Sequence, residues 1–242
     1  MKKSFRSEGE IFIIPSPIGN DNIDETLPVL IKETIARINH YIVENKKISK
    51  RFINKICPEK QQEKIVFFEL NRSNSYLEIE DFIKLCHKGL DIGLLSDAGC
   101  PCIADPGSTI IDLAHKKNLS VRPLVGPSSI LLALISSGMN AQNFTFNGYL
   151  SRDKTLRKKN IFELEKRLKR NNETQVFIET PYRNNQLLDD LLKYLSLQTK
   201  LCIASNLTNK NEQIKTLTVN EWRSIKSEIN INKSPTIFLV GQ

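Results

Sequence analysis

Leu94-Leu-Ser-Asp-Ala-Gly-Cys-Pro-Cys-Ile-Ala-Asp-Pro-Gly107 is the stretch from which the fold is read. Its front end completes an apolar run, Ile92–Leu95, of the length and composition of a buried strand. Asp97, Gly99, Pro101, Asp105, Pro106 and Gly107 then crowd into a short loop before a helical pattern over Ile110–Lys117. So many turn-forming residues between a strand and a helix predict a tightly shaped backbone at the carboxyl edge of a sheet. In open α/β sheets that edge is where ligands bind. Asp97, at the strand's end, can accept hydrogen bonds from an amine or hydroxyl, whereas Asp105 reads more simply as the start of the next helix.

On either side of this stretch, short apolar runs alternate with helical spacing along the whole chain. The predicted strands are Ile11–Ile14, Tyr41–Val43, Ile65–Phe68, Ile92–Leu95, Val121–Leu124, Phe144–Phe146, Gln175–Ile178, Leu201–Ala204, Ile214–Val219 and Thr236–Val240. Ile79, Phe82, Ile83 and Cys86 fall at i, i+3, i+4 and i+7, as do residues of the Leu187–Leu195 run, so each forms one apolar helical stripe. Asp24–Ile38 is read as a further single helix capped by Asp24. The alternation predicts an α/β protein of two lobes with mainly parallel, mixed sheets. Arg122-Pro-Leu-Val-Gly-Pro127 interrupts the pattern, which places lobes at 1–124 and 125–242. Ser128–Ser137 opens the second as a small-residue helix, and a cleft between lobes is a usual ligand site.

The composition is that of a globular protein, 40% hydrophobic and 26% charged over 242 residues. Neither a leader-like start nor a run of the ~18 apolar residues a membrane span requires is found, so a cytoplasmic location without membrane attachment is expected. Five scattered cysteines and three isolated histidines supply neither a disulfide framework nor a metal-ligand spacing, and no metal is expected. The net charge of +8 admits a polyanionic partner, although a Lys-, Asn- and Ile-rich chain can acquire it from nucleotide bias alone. From Arg152 to Arg170 nine basic residues stand against three acids, with Ile161, Leu164 and Leu168 as a buried stripe. That is a helix with a basic outer face, either merely solvated or tracking nucleic-acid phosphates.

Pro15-Ser-Pro-Ile-Gly-Asn20, after the first strand, is neither a Walker loop nor a dinucleotide glycine fingerprint. Together with Leu94–Gly107, Val125-Gly-Pro-Ser-Ser-Ile130, Ser137-Gly138, Gly148-Tyr-Leu-Ser-Arg152 and Ile178-Glu-Thr-Pro-Tyr-Arg183, it follows an order that resembles the tetrapyrrole-methylase-like methyltransferases. The similarity is greatest to the branch that methylates the cytidine 2'-oxygen of small-subunit ribosomal RNA, and it spans about Ile11 to Gly241. Where that branch carries Glu-Asp followed by Thr-Arg, this chain has Glu44-Asn-Lys-Lys47. Its Leu-Pro-Arg and Ser-Pro-His-Arg correspond here to Leu150-Ser-Arg152 and Thr180-Pro-Tyr-Arg183.

The resemblance implies a homodimeric enzyme with S-adenosylmethionine folded into the interlobe cleft, in a fold distinct from the conventional Rossmann methyltransferases. It implies cofactor contacts at Ile18, Asp97, Ile103, Ser129, Ile130, Thr180 and Pro235. A ribose hydroxyl needs a base nearby to become nucleophilic, and Glu44 and Glu179 are the candidates. Either could instead cap or pair with neighbouring Lys and Arg. Arg152, Arg157, Lys158 and Arg183 are candidate clamps on RNA. Two alternatives stand beside an RNA 2'-O-methyltransferase: an acceptor that is a small tetrapyrrole-like molecule or a protein, and a non-catalytic RNA-binding or assembly protein on the same scaffold.

Overall fold

The computed structural model describes residues 8–19, 23–71, 74–226 and 229–242, and the chain divides into two compact units, Met1–Ser128 and Ser129–Gln242. In the first, strands β1 (Glu10–Ile14), β2 (His40–Val43), β3 (Val66–Glu69), β4 (Ile92–Leu95) and β5 (Ser120–Pro123) form one sheet in the order β3-β2-β4-β1-β5. Every pairing in it is parallel. Helices α1 (Ile23–Thr26) and α2 (Val29–Arg37) join β1 to β2, and α3 (Lys46–Ile56) joins β2 to β3. Helices α4 (Tyr76–Ile83) and α5 (Ser108–Lys116) complete the next two crossovers.

The two-residue period of the strands sorts the core into two layers. Phe12, Ile14, Tyr41, Val43 and Leu95 meet α2 and α3 on one face, while Ile11, Ile42, Ile92 and Leu94 meet α4 and α5 on the other. Strands covered on both sides must be apolar throughout, which is why β4 is wholly buried. The chain leaves β1 across β4 toward β2, and leaves β4 across β1 toward β5. The crevice at the carboxyl ends of β1 and β4 is therefore the topological switch point of this sheet.

The second unit contains α6 (Ser129–Ser136), β6 (Phe144–Tyr149), α7 (Lys154–Asn171), β7 (Thr174–Ile178), α8 (Asn184–Tyr194), β8 (Lys200–Ser205), β9 (Gln213–Thr218), α9 (Val219–Ser224) and β10 (Thr236–Gly241). Its sheet runs β6-β7-β10-β8-β9. Only β6 and β7 pair in parallel; β10 runs antiparallel to β7 and β8, and β8 to β9. The parallel character of the fold thus resides mainly in the first sheet. One face of the second packs Phe177, Leu201, Ile203 and Phe238 against α7, α8 and α9. Met139, just after α6, lies against Gly241, where an added Cβ would fall 2.5 Å from its sulfur.

The ten expected strands are all present. The single helix expected over Asp24–Ile38 is corrected: it breaks at Leu27–Pro28, since Pro28 has no N–H to continue α1 and instead occupies the position before α2. Asp24 lies inside the first turn of α1 and does not cap it. Helix α3, not among the expected helices, is capped by the Asn45 side chain, which accepts from Lys47 N and Ile48 N.

Candidate active site

Three loops of the first unit converge beyond β1 and β4. Ser16 and Gly99 exchange backbone hydrogen bonds of 2.9 and 3.1 Å. The Ser16 hydroxyl donates to Ser96 O, and the Ser96 hydroxyl donates to Gly99 O. Gly99 has φ +74°, and a Cβ there would stand 3.1 Å from Ile18 Cγ2. Position 99 therefore needs glycine for its dihedral and for the approach of Ile18. Pro15 closes against Gly126 of the third loop, where a Cβ would sit only 2.2 Å away. Asn20 of the first loop's motif lies outside the described residues.

Within the longer loop, Asp105 accepts from Cys102 N at 2.9 Å and Gly107 N at 2.7 Å, so it pins the backbone at the approach to α5, as its simpler reading predicts. Cys102 (φ +73°) and Ala104 (φ +64°) both adopt the left-handed region, which costs non-glycine residues about 1–3 kcal/mol each. The conformation leaves Ile103, between them, 46% exposed. An exposed apolar side chain between two strained residues is a feature that clusters at ligand-binding loops.

Glu44 reaches the same crevice from the end of β2. Its Oε1 accepts the Asp97 backbone N–H at 3.0 Å. Burial raises the Glu44 carboxyl above its ordinary value, against the Asp97 hydrogen bond, and the charges of Asp105 and Asp97 add to the rise. Asp97 is raised as well, by burial first and then by Glu69, although the Asn45 backbone donates to it. Ile18, against Gly99, and Glu44, against Asp97, thus both reach the loop after β4, while Ile103 stands exposed farther along that loop. Sequence reasoning missed Ser16, Ser96 and Asn45, which hold it together.

In the second unit, Glu179 is buried at the root of the turn after β7. Its Oε1 accepts from Thr180 N at 2.6 Å and Thr180 Oγ1 at 3.2 Å, and it pairs with the Arg183 guanidinium. Arg183 Nε donates in turn to Thr180 Oγ1. Buried Asn184 donates to Ser234 O and Thr236 Oγ1, which joins this turn to the Pro235–Thr236 segment. Ser129 and Ile130 begin α6, both half-buried.

The basic helix does not present all its charges. Arg157, a candidate RNA clamp, is corrected: it is only 2% exposed. Its guanidinium pairs with Asp190 at 2.6–2.8 Å and donates to the carbonyls of Ser151 and Arg152. It continues the Ile161, Leu164 and Leu168 stripe by one turn and is therefore carried into the core. Lys158 is exposed with its ammonium over the Phe162 and Tyr194 rings, and Arg167 is held by Glu173. Arg152, Lys154, Lys159, Lys166 and Arg170 are exposed. Among the described residues no helix is long and apolar enough to cross a membrane.

Residues 19–222 match the family described as Tetrapyrrole (Corrin/Porphyrin) Methylases. The chain is 32% identical to ribosomal RNA small subunit methyltransferase I of Bacillus subtilis, over 88% of this chain and 68% of that protein. It is 30% identical to the protein of the same name from Mycoplasmopsis pulmonis, over 96% of this chain and 99% of the relative. Among solved structures, the methyltransferase CobJ aligns with a TM-score of 0.62 at 12% identity, covering 97% of this chain and 94% of the other. Uroporphyrin-III-C-methyltransferase from Thermus thermophilus aligns at 0.58 and 15%, covering 96% and 94%.

Proposed function

The chain belongs to the tetrapyrrole methylase family of methyltransferases, and from that premise we propose that it transfers the methyl group of S-adenosylmethionine to a ribose 2'-hydroxyl of small-subunit ribosomal RNA. The observation that carries the acceptor is the end-to-end likeness to the Mycoplasmopsis relative, which matches this chain over nearly the whole of both. The solved tetrapyrrole enzymes, at 12–15% identity, support the fold alone and do not favour a tetrapyrrole as acceptor.

The switch-point crevice fits the cofactor. Ile18 after β1 and the exposed Ile103 after β4 offer apolar contact, and the Asp97 carboxylate can accept hydrogen bonds from an amine or from ribose hydroxyls. Ser129, Ile130, Thr180 and Pro235 are the cofactor positions carried over by the family motif in the second unit. When bound, the cofactor supplies a methyl group on a positively charged sulfur.

The chain's own task is to hold the acceptor hydroxyl and take its proton. Glu44 is assigned that role: one oxygen is anchored by the Asp97 N–H, and burial raises its affinity for protons, the direction that favours a general base. Glu179, whose Oε1 gathers Thr180 and Arg183, is assigned to holding the turn. Arg152, Lys158, Lys159, Lys166 and Arg170 meet RNA phosphates, and Arg183 steadies the substrate side. The enzyme works in the cytoplasm as a homodimer, as the family resemblance implies. Transfer of labelled methyl from S-adenosylmethionine to purified small subunits tests the reading, and its failure with both free and assembled RNA would refute it.

A further inference from the structure

Two tyrosines of the second unit stand in solvent where their sequence neighbours are fixed: Tyr149 is 55% exposed and Tyr182 is 78% exposed. Tyr149 ends β6, and its Cα is paired with that of Ile178, which ends the parallel neighbour β7. Tyr182 lies in the turn that follows Ile178, so both rings belong to the carboxyl end of the same strand pair.

Each ring is held out by a specific backbone device. The β6–β7 register shifts between Phe146 and Tyr149. Gly148 there has φ +63°, while a Cβ added to it would meet nothing within 4 Å. Glycine is thus required for its dihedral alone, and the bulge re-aims the following side chain. At Tyr182, Pro181 fixes the preceding φ and Arg183 N closes the turn onto Thr180 O at 2.9 Å. Lys233 N anchors Pro181 O at 3.1 Å. A rigid backbone loses little entropy when a planar partner settles on the ring.

The surrounding charge is mainly positive. Arg152 and Lys154 are exposed just beyond Tyr149, and the nearby acid Asp153 is occupied in accepting from Leu156 N. Exposed aromatic faces next to cations that can meet phosphates are the equipment for binding unpaired nucleotides.

We infer that Tyr149 and Tyr182 are stacking positions for unpaired bases of the RNA. The inference rests on the RNA reading above and adds to it the conformation of the substrate: single-stranded, with bases turned outward.

The test uses the full chain, a short fluorescent single-stranded RNA of mixed sequence, and an abasic RNA of the same length. Tyr182→Ala and Tyr149→Ala should each weaken binding of the intact RNA about five- to hundred-fold, the equivalent of ~1–3 kcal/mol per stacked base. Tyr182→Phe and Tyr149→Phe should bind as wild type does, because the ring is kept. The abasic RNA should bind wild type and variants alike, since only phosphate contacts remain. Unchanged binding of intact RNA by the alanine variants, or an equal loss on abasic RNA, would overturn the stacking assignment and leave the RNA reading standing. Wild-type protein that binds neither RNA would also overturn the stacking assignment, whereas the RNA reading itself falls only if methyl transfer to free and assembled small-subunit RNA fails.

Discussion

The backbone N–H of Asp97 donates to Oε1 of Glu44 across 3.0 Å, tying the loop after β4 to the end of β2. The candidate base and the candidate cofactor ligand are therefore mechanically linked. Glu44→Gln retains an acceptor for that N–H but cannot take a proton. It should leave cofactor affinity within about twofold while lowering single-turnover methyl transfer by about 10²–10⁴. Glu44→Ala should lower both. Equal loss of affinity and rate in the glutamine variant would reduce Glu44 to a positioning residue.

Asp97 itself is predicted to carry cofactor affinity. A hydrogen bond to a charged group contributes about 1.5–3 kcal/mol, so Asp97→Ala should raise the dissociation constant for S-adenosylmethionine roughly 10- to 100-fold by calorimetry. An unchanged constant would remove Asp97 from the binding site.

The raised carboxyls also set a pH dependence. Burial is the first cause at both Glu44 and Asp97, and each binds protons more tightly in the folded chain than in the unfolded one. Stability contributed by such a group falls as pH rises from its unfolded value through its folded one. Asp97→Asn and Glu44→Gln should therefore raise the unfolding temperature at neutral pH relative to wild type. The gain should vanish below about pH 4, where unfolded carboxyls are protonated as well. Thermal unfolding across that range checks the sign, and a loss of stability at neutral pH would contradict it.

Arg157 should behave unlike the cations around it. Removing one partner of a buried ion pair strands the other, so Arg157→Ala should cost about 3–5 kcal/mol in denaturant unfolding. Exposed Lys159→Ala should stay within about 0.5 kcal/mol. Similar small effects at both positions would contradict the structural role given to the Arg157–Asp190 pair.

Lys159, Lys166 and Arg170 recur at intervals of seven and four along one exposed face of α7. Reversing their charges should flatten the salt dependence of binding to single-stranded RNA by about 0.7 in logarithmic slope for each phosphate no longer neutralised. A parallel line with the wild-type slope would exclude that face.

Where sequence and structure agree, the physics is local. Ile92–Leu95 is legible as a buried strand because a parallel strand covered on both faces has no polar position to confuse the pattern. The Leu94–Gly107 loop is legible because its turn residues have few other uses. Strand partners are not encoded this way: the antiparallel pairing of β10 with β7 and β8 arises from how apolar runs assemble, not from any one of them. Other features are written in the chain but hidden by stronger signals. Ser49, Phe52, Ile53 and Ile56 form the i, i+3, i+4, i+7 stripe of α3, obscured by its lysines. Arg157 likewise falls on the apolar phase of α7, where its charge masks its position. The Asp97–Glu44 link spans 53 residues and is visible only in the folded chain.

Methyl transfer to ribosomal RNA is tested most directly by mapping ribose methylation in total RNA from cells with and without this gene. One or a few ribose methylations in small-subunit RNA should disappear with the gene and return with the wild-type chain but not with Glu44→Gln. A methylation map identical in both strains would contradict the assignment.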